Sequence, residues 1–152
     1  MRVLAIGRGK KCPEKELFDR YAARIKPGLT VQEFDDGHGA AAEIKRREAV
    51  LLLGAVAAGD FVVALDAGGT APDSVALAAL LGRWMETGKK LTFVIGGAEG
   101  LDASVIARAD AVMSFGKLTW PHMLARAMLA EQVYRAQMIL AGQPYHRAGR
   151  PG

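Results

Sequence analysis

The sequence predicts an α/β fold, a largely parallel sheet flanked by helices within one domain. Three observations carry that expectation. Short apolar runs alternate along the chain with longer helical patterns, as strand–helix–strand units require. The runs at 61–65 and 91–95 are apolar almost without break, as strands covered on both faces are. The length of 152 residues, 51% of them hydrophobic, fits one domain, and such a domain buries roughly 70% of the surface its unfolded chain exposes.

The elements follow in order. Residues 3–7 read as a strand, and a helix runs from about Pro13 to Lys26 with proline in its first turn. Residues 29–34 form a second strand, with Thr30 and Val31 supplying β-branching. Asp35-Asp36-Gly37-His38-Gly39 is a polar loop, and 41–58 is helical. The strand 61–65 opens into the loop Asp66-Ala67-Gly68-Gly69-Thr70, after which Asp73 or Ser74 caps a helix to about Glu86. The strand 91–95 runs into Gly96-Gly97-Ala98-Glu99-Gly100 and a short helix through Ala109. A last strand at 111–115 leads through Gly116-Lys117-Leu118-Thr119-Trp120-Pro121 to a long helix, His122–Leu140. That helix is apolar in almost every direction at 100° per residue, so it is buried nearly all round. A subunit interface and a sandwich within the monomer both satisfy it.

Composition narrows the class. Cys12 is the lone cysteine and forms no disulfide framework, which fits a reduced, cytoplasmic setting. The uncharged run 49–59 is far short of the ~20 residues that cross a bilayer, and the N-terminal apolar run is too short for a signal peptide. No membrane is expected as a partner. The net charge of +4 hides an asymmetry: residues 1–30 carry eight Lys/Arg against three Asp/Glu, 31–110 carry seven against twelve, and 111–152 carry five against one. Basic ends brought onto one face attract a polyanion such as RNA; apart, they are merely solvated.

The motifs are informative chiefly together. Gly96–Gly100 sits where a strand exits into a helix, the edge at which open α/β sheets collect ligands. A plain turn has the same composition. No Walker or dinucleotide fingerprint is present, nor a nucleophile elbow. His38, His122 and His146 stand far apart in no metal-ligand spacing, so no metal is expected. Tyr145-His146-Arg147 gathers a stacking ring, a titratable ring and a cation in a tail released by Gly142 and Pro144. An ordinary polar tail reads the same way.

Three segments carry a resemblance. They are Phe93-Val94-Ile95-Gly96-Gly97-Ala98-Glu99-Gly100-Leu101, then Leu118-Thr119-Trp120-Pro121-His122-Met123-Leu124-Ala125-Arg126 with Glu131-Gln132-Val133-Tyr134-Arg135-Ala136, and the ending Gly142-Gln143-Pro144-Tyr145-His146-Arg147. In order and spacing, over essentially the whole chain, these resemble the bacterial large-subunit ribosomal RNA pseudouridine methyltransferases of the SPOUT superfamily. The resemblance implies a single SPOUT domain over 1–152 with a C-terminal trefoil knot, the knot holding the cofactor over about 91–147. It implies a homodimer and methyl transfer from S-adenosyl-L-methionine to N3 of a pseudouridine in the 23S rRNA of the assembled ribosome. Another RNA such as tRNA, or a non-catalytic ribosome-binding module, stands as the alternative.

It further implies a cofactor site built from Leu65, Gly96 and Gly97 and the loop Gly116, Lys117, Leu118, Thr119, Trp120 and Pro121. Leu118 and Trp120 would exclude water there. Arg135, Tyr145 and His146 would surround the target base. A methyl sulfonium is already electrophilic, so alignment and removal of the N3 proton are what remain for the protein. His146 or water can take that proton, and Arg135 can stabilise charge on the base carbonyls. Residues 148–152 extend beyond the point where many relatives stop.

Overall fold

The computed structural model of the chain describes residues 1–147; the extension at 148–152 lies outside them. Ten elements alternate: β1 (Arg2–Ile6), α1 (Pro13–Ala22), β2 (Thr30–Phe34), α2 (Ala41–Ala55), β3 (Phe61–Thr70), α3 (Ser74–Glu86), β4 (Leu91–Ile95), α4 (Ala103–Arg108), β5 (Ala111–Met113) and α5 (His122–Leu140). The strands form one five-stranded sheet in the order β2-β1-β4-β3-β5, and every pairing is parallel.

Strand alternation divides the core in two. Val3, Ala5, Val63, Phe93 and Ile95 point to one face and pack with Phe18 of α1, Leu77, Leu81 and Trp84 of α3, and Leu129, Val133 and Ala136 of α5. Leu4, Ile6, Val62, Ala64 and Val94 point to the other, against Ala49 and Leu52 of α2 and Val105 of α4. Both faces are covered, which is why the central strands read as continuous apolar runs. Because α1 and α5 share a face, the first and last helices of the chain lie side by side.

Four boundaries differ from expectation by two residues or more. Helix α1 stops at Ala22: Arg24 and Ile25 donate to Tyr21 and Ala22 in a tight turn, and Lys26 precedes Pro27, where helical backbone is disfavoured. Helix α2 ends at Ala55, with Val56 extended and the Ala57 amide donating to Asp60 Oδ2 at 3.1 Å. Strand β3 runs five residues further, to Thr70, which pairs with Met113 after a register shift. Gly69 permits that approach, since a Cβ there would lie 2.7 Å from the Met113 backbone. Strand β5 ends at Met113, and the Ser114 amide bonds Thr70 O at 2.8 Å.

The chain leaves β5 at the sheet edge and re-enters a helix beside β1. A Cβ on Gly7, at the end of β1, would stand 2.9 Å from His122 Nε2. Arg126, 2% exposed, donates from Nη2 to Ile6 O at 2.7 Å and Gly7 O at 2.6 Å, and from Nη1 to Glu33 Oε1 at 2.8 Å. Segment 114–121 therefore crosses above the C-terminal ends of β3 and β4, fastened at its far side by a buried guanidinium. Among the described residues no helix is long and apolar enough to cross a membrane.

Candidate functional site

The crossing encloses a cavity of about 560 Å³ at the C-terminal edge of the sheet. Three strand exits build it. Strand β3 gives Leu65, Asp66 and Ala67, the exit of β4 gives Gly96, Gly97, Ala98 and Gly100, and the crossing with the start of α5 gives the remaining wall. Of the residues expected there, Leu65, Gly96, Gly97, Gly116, Leu118, Thr119, Trp120 and Pro121 all line the cavity. Lys117 does not, although it sits between two that do. Ser114, Phe115, His122 and Ala125 line it as well and were not foreseen; Asp66 was read only as part of a loop.

The glycines have a structural reason to be there. A Cβ on Gly96 would lie 2.9 Å from the carbonyl carbon of Gly100 and 3.0 Å from its oxygen, so the β4 exit folds tightly onto itself. The Gly100 amide donates to Gly97 O at 3.1 Å and closes that turn. Leu118 and Trp120 reach the cavity from its rim, where Leu118 is 70% exposed, so within one chain they do not seal it. The volume suits a small-molecule ligand, with glycine backbone on one wall and apolar side chains on the others. Among the described residues no group of three or more His, Cys, Asp or Glu is arranged to hold a metal ion.

Arg135 of α5 and the tail residues Tyr145 and His146 form a second cluster on the outer side of that helix. Glu131 is its hub. Its Oε1 accepts from Arg135 Nε at 3.0 Å, from Arg135 Nη2 at 2.5 Å and from the Tyr145 hydroxyl at 3.1 Å, while Oε2 accepts from Gln132. Arg135 also faces His146 Nδ1 at 3.3 Å and lies 4.8 Å from the Tyr145 ring centroid. Tyr145 stands edge-on to Tyr134 at 4.9 Å. Burial above all, with the Tyr21 and Glu131 contacts, pushes the Tyr145 phenol well above its ordinary range. The Glu131 hydrogen bonds hold the Arg135 guanidinium protonated against a smaller opposing effect of burial.

The structure thus brings Arg135, Tyr145 and His146 together, yet none of them lines the cavity of its own chain. Glu131, which sequence reasoning quoted without a role, organises all three. Its signal was present: a Glu–Arg pair four residues apart on one helix.

A groove of about 590 Å³ runs beside that cluster, lined by Leu17 and Tyr21 of α1, Pro72, and Leu124, Met128 and Glu131 of α5. Helix α5 is therefore sandwiched between α1 and α3 over much of its surface, and one apolar strip stays open.

Comparison with known proteins bears on the whole chain. The family model described as Predicted SPOUT methyltransferase matches residues 1–146. The ribosomal RNA large subunit methyltransferase H of Acidiphilium cryptum is 62% identical over 151 residues, covering 99% of this chain and 96% of that protein. The proteins of the same name from Gluconacetobacter diazotrophicus and Rhodospirillum centenum are 55% and 50% identical. Those matches cover 99% and 95% of this chain, and 99% and 96% of the respective relatives.

Proposed function

This chain belongs to the SPOUT methyltransferase family, and from that premise we propose that it transfers a methyl group from S-adenosylmethionine to N3 of a pseudouridine in 23S rRNA within the ribosome. The observation that carries the reading is the crossing of 114–121 over the glycine exit of β4. It makes a cavity of ligand size whose backbone approaches closely and whose walls are mainly apolar, with Asp66, Ser114, Thr119 and His122 among them. We read that crossing as the threaded part of a trefoil knot spanning about 91–147, in a single domain over 1–152.

The residues present fit the cofactor. Gly96 and Gly97 let backbone approach it, Leu65 and Leu118 supply apolar contact, and Trp120 stands at the rim. When bound, the sulfonium supplies a methyl group already activated for displacement. The protein's part is then orientation, water exclusion and control of one proton.

The tail cluster supplies the orientation of the target base from the partner chain of a homodimer. It sits away from its own cavity, beside an open apolar groove that a second copy of α5 can fill. Arginine only donates, so Arg135 Nη1 donates to His146 Nδ1 and the neutral imidazole keeps its hydrogen on Nε2. His146 thereby offers a donor to a base carbonyl, Arg135 adds a fixed positive charge, and Tyr145 packs against the base. With Nδ1 occupied, the N3 proton passes to water.

The test is incubation of the purified protein with methyl-labelled S-adenosylmethionine and ribosomes lacking the modification. Label in a single pseudouridine of 23S rRNA is the expected result. Label in tRNA alone, or cofactor binding without transfer to any RNA, contradicts the reading.

A further inference from the structure

Glu48 is a buried carboxylate that the chemistry above leaves unused. It sits on the sheet-facing side of α2 and is 3% exposed. Oε1 accepts the Gly37 amide at 3.0 Å, and Oε2 has no hydrogen-bond partner among the described residues. Both oxygens lie against Gly97: a Cβ built there would be 3.0 Å from Oε1 and 3.2 Å from Oε2. Gly97 is also a wall of the cofactor cavity. One glycine separates a half-satisfied buried carboxylate from the space that the ligand fills.

Burying such a group is costly, and an unpaired oxygen beside a site calls for an explanation. The other acids near the cavity are less buried. Asp66 lines it but is half-exposed and accepts its own Gly68 amide through Oδ2 at 2.8 Å, and Glu99 is exposed. Asp102 caps α4 through the amide and hydroxyl of Ser104. Among the described acidic residues, only Glu48 combines burial, an open lone pair and contact with the cavity wall.

We propose that Glu48 selects charge in the cavity, favouring S-adenosylmethionine over its product S-adenosylhomocysteine. This rests on the reading that the cavity takes S-adenosylmethionine. The two compounds differ by one methyl and one positive charge at sulfur. In the transfer the S–CH₃ bond breaks and its electron pair stays on sulfur, the N3 lone pair forms the new N–CH₃ bond, and the N3 proton leaves to water. The positive charge at sulfur is gone afterwards. A carboxylate screened from solvent acts strongly on a neighbouring charge, so Glu48 holds the sulfonium and loses that attraction once the methyl has moved. The spent cofactor is then the weaker ligand and leaves.

Calorimetric titration of both compounds into the wild type, Glu48→Gln and Glu48→Asp tests this. Glu48→Gln keeps the shape and removes the charge. It should weaken S-adenosylmethionine about tenfold, roughly 1.4 kcal/mol, and leave S-adenosylhomocysteine nearly unchanged, while Glu48→Asp keeps the preference. Equal weakening of both ligands means Glu48 only props the loop, and unchanged affinities mean it carries no felt charge; either overturns the proposal. If Glu48→Gln does not fold, the wild type can still overturn the proposal: equal affinities for S-adenosylmethionine, its charged analogue sinefungin and S-adenosylhomocysteine do so. A folded wild type that binds none of them removes the cofactor reading itself, and this proposal with it.

Discussion

A guanidinium decides which nitrogen of His146 is free to act. In the proposed mechanism Arg135 donates to Nδ1 and the imidazole acts as a donor through Nε2, so His146→Ala should bind S-adenosylmethionine as the wild type does. Its single-turnover methylation of ribosomes should fall by about 10²–10³-fold, the usual effect of removing one aimed donor. Tyr145 yields a pH prediction. Its folded-state phenol ionises well above the ordinary value of 10.0, through burial first and then its Tyr21 and Glu131 contacts. A raised folded value contributes stability that is complete below the unfolded value and lost as pH climbs past it. Thermal unfolding from pH 8 to 11 should therefore show an alkaline fall in Tm that is shallower in Tyr145→Phe. The tail residues were legible in the sequence by type, as ring, imidazole and cation. Their hub was not, because the fold of the tail back onto Glu131 is a tertiary contact that no local pattern encodes.

Among the elements, α5 is the one whose placement makes the site. Arg126 fixes its first turns to the end of β1 through two carbonyls and Glu33. Burial lowers the Arg126 pKa against the opposing pull of Glu33, so desolvation is the dominant influence on this group. Removing one partner of such a buried set leaves the others unpaired. Arg126→Met should lose about 3–5 kcal/mol in denaturant unfolding. The exit of β4 supplies a second test. In Gly96→Val the new side chain meets the backbone of Gly100, not open space, so the turn must spread. The folded variant should show no S-adenosylmethionine binding by calorimetry, and undiminished binding would place the site elsewhere. Strands β1, β3 and β4 were legible because burial on both faces leaves an apolar run. The last five residues of β3 were not, since only Thr70 pairs with β5, after a register shift that leaves 66–69 out of the ladder, and Ala67, Gly68 and Gly69 carry the composition of a loop. Lys117 was placed in the site by its neighbours, and only the path of the crossing keeps it off the wall.

On the scale of the whole molecule, the charge asymmetry acquires a location. Arg24 and Lys26 follow α1 beside α5, with Arg24 lying 5.8 Å from the Tyr134 ring centroid and the Lys26 backbone bonded to the Gln137 side chain. A basic, aromatic strip beside the tail cluster suits an RNA backbone. The open groove along α5 lies next to it, and in our account a second chain closes that groove. Each methyl-transfer site would then take its cavity from one chain and Arg135, Tyr145 and His146 from the other. Mixing the Gly96→Val and His146→Ala variants tests this most directly. The heterodimer holds one site in which both halves are intact, so random pairing in equal amounts should restore about a quarter of wild-type methylation of ribosomal RNA. A mixture in which heterodimers have demonstrably formed, yet which methylates no better than either variant alone, would contradict the account.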